Sequence, residues 1–367
     1  MHSELDRLRR RPDLEAPGLV AVDAADRLIL DLSAAARENT EAGAVCVIGD
    51  AYGALTLGAA LAGATGIRVH QDALTGERAL AANADALAHS HSYRSLPLSP
   101  ELVRGAHVVL LRLPRSLDQL DDIAGIIAAH AAPDVTVFAG GRLKHMSVAM
   151  NDVLARRFGR VDVTHARQKS RVLVARGPHD GADPTPRQET HEGITVCAFG
   201  GAFAGTSIDI GTRLLLAHLP APTERPVIDM ACGTGVVAAS WATRHPRARV
   251  IASDQSAIAV ASAKATVAAN GVAGRVEVVR DDMLGAQPDR STSLIALNPP
   301  FHSGAAVTGR IAPLMFADAA RVLAPGGELW TVWNSSLGYR AALERIVGPT
   351  RQIARNAKFT VTASTRR

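Results

Sequence analysis

The sequence predicts an α/β protein of two tandem domains, each a mostly parallel sheet with helices on both faces. Three observations predict it. Short apolar runs alternate with helix-like stretches along all 367 residues, and such alternation pairs parallel strands across helical crossovers. A segment rich in Gly, Pro and Asp, Gly177-Pro178-His179-Asp180-Gly181-Ala182-Asp183-Pro184-Thr185-Pro186, divides the chain almost in half and favours an extended connection. The two halves also repeat each other. Val22 to Leu30 aligns with Ile208 to Leu216, Val45 to Gly53 with Val227 to Gly235, and Val109 to Pro114 with Ile295 to Pro300, at offsets of 182 to 186. A period of a whole domain means duplication, not a solenoid.

The second half is the easier to place. Strands are predicted over 226–229, 249–252, 275–279, 293–297 and 328–333, and helices over 236–244, 256–270 and 312–323, with Pro325-Gly326-Gly327 as a turn before the last strand. The expected domains are 1–176, a linker over 177–189, and 190–367.

Composition narrows the class. Hydrophobic residues are 47% and charged residues 20% of the chain, enough apolar material for a core in each half and too much for long disorder. Cys46, Cys197 and Cys232 share no CxxC spacing, which argues against a zinc knuckle or a disulfide framework. No metal is expected. The charged start of the sequence lacks the apolar core of a signal peptide, and no run approaches the ~18 apolar residues of a membrane span; a cytoplasmic protein away from membranes is expected. Residues 1–185 carry 21 Lys/Arg against 22 Asp/Glu, and residues 186–367 carry 19 against 13. The second half is therefore the basic one, compatible with a polyanionic partner. Nothing in the sequence addresses oligomeric state.

Two motifs carry chemistry. Asp229-Met230-Ala231-Cys232-Gly233-Thr234-Gly235 lies between a predicted strand and a predicted helix, where glycines let backbone turn tightly against a ligand. Asp254 ends the next strand 19 residues after Gly235, where a carboxylate can accept the hydroxyl protons of a ribose. Gly233, Gly235 and Ala238 also satisfy a nicotinamide-type G-x-G-x-x-A. The second motif decides between them. Asn298-Pro299-Pro300-Phe301 follows the strand 293–297. Two prolines stiffen the loop and remove donors, leaving carbonyl acceptors. The Asn298 oxygen and the Pro299 carbonyl can accept both hydrogens of one exocyclic NH2, aiming a delocalised lone pair at an electrophilic carbon. Phe301 offers a flat surface for a planar substrate.

Together these motifs resemble class I S-adenosylmethionine-dependent methyltransferases acting on amino nitrogens. With Ser207 to Leu215, Asn298 to His302, Val322 to Leu329 and the closing Lys358-Phe359, the chain is similar to the bacterial ribosomal RNA guanine-N2 methyltransferases, the RsmC/RlmG family; Gly49 to Leu55, Ala306 to Thr308 and Met315-Phe316 point to its large-subunit branch. The resemblance implies two methyltransferase-like domains of which only the second is active, S-adenosylmethionine as cofactor and ribosomal RNA as partner. It implies that Asp209 and Gly211 close over the methionine end of the cofactor, that Asp229, Gly233 and Gly235 shape its loop, that Asp254 holds the ribose and that Asp282 meets the adenine amine. Ala231 stands where the family has its first loop glycine, so a methyl group crowding that loop is expected. Asn298, Pro299, Pro300 and Phe301 are the expected catalytic set, with Phe301 and His302 toward the RNA.

The first half lacks this equipment. Asp229 corresponds to Val47, Gly233 to Ala51, Asn298 to Arg112 and Phe301 to Arg115. It reads as a degenerate copy retained for RNA, with Arg112 and Arg115 as candidate phosphate contacts. Because the Asn-Pro-Pro-aromatic device serves several amines, a protein-glutamine methyltransferase stays open as a rival, as does a non-catalytic RNA-binding assembly factor.

Overall fold

A computed structural model describes residues 2–222, 225–300 and 305–367. The chain divides into two compact units, residues 1–185 and 186–367.

In the first unit the strands are β1 (Val45–Ile48), β2 (Ile67–His70), β3 (Tyr93–Ser95), β4 (Val108–Arg112), β5 (Thr136–Arg142), β6 (Phe158–Val163) and β7 (Ser170–Pro178). They form one sheet in the order β3-β2-β1-β4-β5-β7-β6, parallel as far as β5 and antiparallel from there. The second unit opens on a hairpin, β8 (Arg187–His191) with β9 (Ile194–Ala198). Its sheet comprises β10 (Val227–Met230), β11 (Val250–Asp254), β12 (Val276–Arg280), β13 (Thr292–Leu297), β14 (Leu323–Asn334), β15 (Thr350–Arg355) and β16 (Phe359–Thr365). Its order, β12-β11-β10-β13-β14-β16-β15, repeats that of the first sheet strand for strand.

Both sheets are covered on both faces, which is why their central strands read as unbroken apolar runs. Val45 and Val47 join one hydrophobic cluster while Cys46 and Ile48 join another. In β10, Val227 packs into one cluster and Ile228 and Met230 into the opposite one. Asp229 is the one charged residue of that buried strand.

Helices Val236–Arg244 and Ala257–Ala269 appear where the pattern places them. Ser256 caps the latter by accepting from the Ala259 N–H at 3.2 Å, satisfying one of the orphan donors of a helix start. Gly235 caps the former at φ +74°, and a Cβ there would lie 2.8 Å from Ala263 Cβ, so only glycine permits the two helices to pack at that point.

Two expectations are corrected. Pro325-Gly326-Gly327 does not separate a helix from a strand; it is an irregularity inside β14, whose register to β13 shifts between Thr292 and Leu294. The segment 177–186 is not an open connection throughout. Gly177 and Pro178 belong to β7 and Arg187 begins β8. Between them, the Ala182 N–H donates to the Gly125 carbonyl at 3.1 Å, and Arg157 donates to the Asp180 carbonyl at 2.7 Å. Gly125 and Gly181 lack side chains at the point where this stretch meets helix Leu117–His130, so backbone packs on backbone.

Candidate active site at the carboxyl edge of the second sheet

Four parallel strands of the second unit deliver their carboxyl ends to one cavity of about 450 Å³, the usual ligand position of such sheets. Its wall takes Ala231 to Thr234 from the loop after β10, Asp254 to Ser256 from the end of β11, Asp281 to Met283 after β12, and Asn298 to Pro300 after β13; Asp209, Thr212 and Phe203 complete it.

The glycine loop is held by its neighbour strand. The Cys232 N–H donates to the Ser253 carbonyl at 3.0 Å and the Gly233 N–H to Asp254 Oδ2 at 3.0 Å, while Asp254 Oδ1 accepts from Ser256 N at 2.9 Å. Asp254 thus ends its strand as expected and braces the loop it faces. Ala231 sits at φ +56°, as left-handed as Gly233 at φ +54°. An L side chain costs about 1–2 kcal/mol in that region. Ala231 therefore departs from the expected crowding: its cost is backbone strain, and its side chain packs against the cluster containing Ile228, Met230 and Leu297.

Asp229 is buried and accepts from the Ala238 N–H at 3.0 Å, tying β10 to the following helix. Burial pushes its carboxyl up to about 7; the Ala238 N–H offsets part of this and the nearby Asp254 charge adds to it. Burial likewise drives the Cys232 thiol far above its ordinary range, with Asp254 and Asp229 adding to it, so Cys232 is inert as a nucleophile. Asp281 is spent on the turn after β12, accepting from Ala286 N at 2.7 Å. Asp282 also reaches the cavity wall and is the half-buried one of the pair.

Gly211 and Gly235 do not line the cavity. Gly211 lies in the first turn of helix Ile210–Leu216, where a Cβ would meet the Phe359 ring at 3.1 Å. Both glycines serve packing. Phe301 and His302 lie outside the described residues.

The arrangement converges on Asn298. Asp209 caps its helix, accepting from Gly211 N at 2.9 Å and Thr212 N at 3.3 Å, and the Thr212 hydroxyl donates to Asp209 Oδ2. Asn298 Nδ2 donates to Thr212 Oγ1 at 2.9 Å and to Asp209 Oδ2 at 3.3 Å. A carboxylate can only accept, and the Thr212 proton is already committed, so the amide has to turn its NH2 toward them. Asn298 Oδ1 is buried with no hydrogen-bond partner among the described residues. A buried acceptor left open costs about 1–3 kcal/mol, so a donor that reaches it is bound favourably. Thr212 and Phe203 were missed in the sequence: Thr212 looks like any first-turn helix residue, and Phe203 stands in a glycine-rich loop with no motif around it. Phe203 is half exposed at the cavity.

In the first unit the same three positions are filled differently. Asp23 caps helix Ala24–Leu32, and Arg112, at the place of Asn298, donates to Asp23 Oδ1 at 2.7 Å, Asp23 Oδ2 at 3.1 Å and Asp26 Oδ1 at 2.8 Å. Despite burial, the guanidinium holds Asp23 down at about 2. Burial pushes Asp26 up to about 7 with Arg112 only partly opposing it. Arg112 is therefore committed inside the fold and is not an available phosphate contact, a correction to the sequence reading. Arg115 is exposed, with no ion-pair partner among the described residues.

The fold defines the class: two tandem Rossmann-like methyltransferase domains, the second carrying the cavity. Residues 193–363 match the family described as Methyltransferase small domain, and residues 2–179 match the RLMG N-terminal domain. The ribosomal RNA large subunit methyltransferase G of Shewanella amazonensis is 34% identical over 98% of this chain and 95% of its own length; that of Streptomyces coelicolor is 35% identical over 96% of each. Among solved structures, the T. thermophilus 16S rRNA N2 methyltransferase RsmC, in complex with AdoMet and guanosine, superposes with a TM-score of 0.76 at 20% identity, covering 98% of this chain and 99% of that one. The chain belongs to the ribosomal RNA large subunit methyltransferase G family. No described helix is long and apolar enough to cross a membrane, and no group of three or more metal-ligating side chains occurs among the described residues.

Two stability measurements follow from the loop. Ala231→Gly should raise unfolding stability by about 0.5–1 kcal/mol, the relief of left-handed strain less the extra chain entropy of glycine; a loss of stability in chemical denaturation would show that the packing of the Ala231 methyl outweighs the strain. Asp229 titrates from 3.8 in the unfolded chain to about 7 in the folded one. The folded state therefore holds its proton longer, and stability should fall as pH rises from about 4 to 7. Asp229→Asn keeps the acceptor for Ala238 N–H and should flatten part of that fall; an unchanged pH profile would place the titration elsewhere.

Proposed function

We propose that this chain transfers a methyl group from S-adenosylmethionine to the exocyclic N2 amine of a guanine in large-subunit ribosomal RNA, in the bacterial cytoplasm. The observation that carries the reading is Asn298: its NH2 is tied back by Asp209 and Thr212, and its oxygen is buried at the cavity wall and unpaired among the described residues. That is an acceptor built to receive an amine hydrogen and arranged before the amine arrives.

The cavity suits the cofactor. Asp254 stands at the end of β11 for the ribose hydroxyls, Asp282 after β12 for the adenine amine, and Asp229, Ala231 and Gly233 shape the loop for the methionine end. When bound, S-adenosylmethionine supplies an electrophilic methyl group on a sulfonium. Asn298 Oδ1 and the Pro299 carbonyl accept the two amine hydrogens, returning electron density to nitrogen and fixing the direction of its lone pair. Pro299 and Pro300 contribute no N–H that would compete for that lone pair. As the N–C bond forms the amine proton becomes acidic and leaves to solvent, so no strong base is required. Phe301 and His302 follow directly in sequence and are assigned to the base. A paired guanine cannot present N2 to this edge, so the base has to be unpaired or flipped out.

A methyl-transfer assay on total ribosomal RNA, with mapping of the modified base, tests the reading; label on release factors and none on RNA would favour the glutamine rival. Asn298→Ala should lower turnover by roughly 100-fold or more and leave cofactor affinity within a few-fold by calorimetry, whereas Asp254→Ala should weaken cofactor binding first. Unchanged turnover in Asn298→Ala would remove it from the mechanism. Thr212→Val keeps the shape and deletes the hydroxyl that orients Asn298. It should lower kcat by about 10-fold, because Asn298 loses one of its two anchoring hydrogen bonds, with cofactor affinity unchanged and Thr212→Ser restoring activity. A Val variant of full activity would show that the tie does not position the amide.

A further inference from the structure

In the second unit the exposed large apolar side chains among the described residues are Phe203, Ile210, Leu314 and Leu337, at 38–56% exposure. All four stand around the cavity. Phe203 is part of its wall. Ile210 directly follows Asp209, which lines it. Leu314 is beside Met315 and three residues from Ile311, both of which line it. Leu337 closes the short turn Ser335–Leu337 beyond the end of β14, and β14 pairs with the strand that leads to Asn298. Ile210 and Leu337 come to one corner. Gly211 packs on the Phe359 ring, and the neighbouring Lys358 carbonyl accepts from the Ser335 N–H at 2.7 Å. Apolar side chains exposed singly need no explanation, but a group of them around one cavity marks an interaction site.

Phe203 is held in place at both ends of its loop. The N–H groups of Thr195, Cys197 and Phe199, on one side of β9 and its extension, donate to Asn270 Oδ1, Thr266 Oγ1 and Ser262 Oγ at 3.0, 2.9 and 3.1 Å. Those acceptors recur every four residues, so they form one face of their helix. At the far end, the Thr206 carbonyl bonds to His191 at 2.9 Å and the Thr206 hydroxyl donates to Glu189 at 3.0 Å. A loop anchored in this way presents its aromatic ring by construction. The charges beside the rim narrow the occupant. Arg310, one helical turn before Leu314, and Arg355 and Lys358, next to the Phe359 corner, are exposed and form no ion pair among the described residues. Apolar and aromatic surface flanked by unpaired cations suits unstacked bases with their phosphates.

We infer that Phe203, Ile210, Leu314 and Leu337 form an apolar rim that receives the unpaired bases on either side of the target guanine. The substrate at this site is then an open single-stranded segment, not one nucleotide flipped out of an otherwise closed duplex. The inference rests on the proposed RNA substrate and adds the form in which that RNA is taken. A duplex shows the rim only its phosphates and sugars, which gives the apolar side chains nothing to cover; splayed bases offer flat faces for them.

The test uses the full chain and protein-free large-subunit ribosomal RNA. Ile210→Gln/Leu337→Gln should raise KM for RNA by roughly 5- to 100-fold, the scale of a lost base contact, with kcat at saturating RNA and calorimetric affinity for S-adenosylmethionine unchanged. The slope of log K against log salt should also hold, because no phosphate contact is removed. Phe203→Ala should raise KM on the same scale, and Phe203→Tyr, which keeps the ring, should restore it. Leu337→Gln alone, in a surface turn, should show a smaller rise in KM. As competitors, oligouridylate should displace RNA better than either inorganic polyphosphate of equal charge or a fully paired RNA duplex of equal length. Variants with the wild-type KM would overturn the rim, as would a fall in salt slope that accounts for the whole loss. Polyphosphate or duplex competing as well as oligouridylate would overturn unpaired bases as its occupant. A wild-type dimer in sedimentation that Leu337→Gln dissociates, with KM unchanged, would give the surface to a second copy of the chain instead. Wild-type protein that methylates ribosomal RNA while the variants keep its KM removes the rim alone; wild-type protein that transfers no methyl group to RNA removes the activity reading, and the rim with it.

Discussion

The tie between a helix cap and the end of the strand beside the sheet's centre organises this protein. In the second unit Asp209 caps its helix, Thr212 bonds to Asp209, and Asn298 bonds to both. Each hydrogen bond has one possible direction, because the carboxylate cannot donate and the hydroxyl has one proton. The cap therefore determines which end of the Asn298 amide faces the cavity. A side chain that would otherwise be ambiguous becomes an acceptor with a fixed bearing, and the loops bearing Asp254 and Gly233 close the wall opposite it.

Duplication kept the tie and changed its content. Asp23, Asp26 and Arg112 occupy the places of Asp209, Thr212 and Asn298, and the same cap-to-strand connection becomes an ion pair of one guanidinium with two carboxylates. Such a cluster leaves no open acceptor. Around it the first unit's loop after β1 is covered by its own N-terminal segment: Tyr52 donates to Asp13, the Arg10 guanidinium lies 4.5 Å over the Tyr52 ring, and Asn83 bonds to Arg9 and to the Tyr52 carbonyl. Asp50, buried in that loop, accepts from Gly53 N and Thr56 N. Asp50, Tyr52 and Asn83 are thus bonded within the unit instead of being left for a ligand.

Much of the fold was legible because it depends on local pattern. The apolar run and glycine turn of β10, the helix 236–244, and Asp254 at a strand end all follow from period and turn chemistry. The in-register repeat predicted duplicated α/β domains, and the two sheets share one strand order. What was misread involves contacts remote in sequence. Pro325-Gly326-Gly327 reads as a turn, yet pairing with β13 absorbs it as an irregularity in β14. Residues 177–186 read as a free linker until Gly125 and Gly181 let the backbone dock on a helix. Arg112 reads as a surface cation because its partners lie 89 and 86 residues away.

The sequence by itself determined the fold class, the duplication, the family and the two motif loops of the cavity, since each is written in short runs of neighbouring residues, once or repeated. Tertiary structure alone decided which of those residues are occupied and which are open. Gly211 and Gly235 turned out to be packing positions, Ala231 a strained backbone, Arg112 an internal counter-ion, and Thr212 the group that orients Asn298. The physical reason is that hydrogen-bond satisfaction is a property of neighbours in space: an asparagine is an acceptor, a donor or both until the fold supplies its partners.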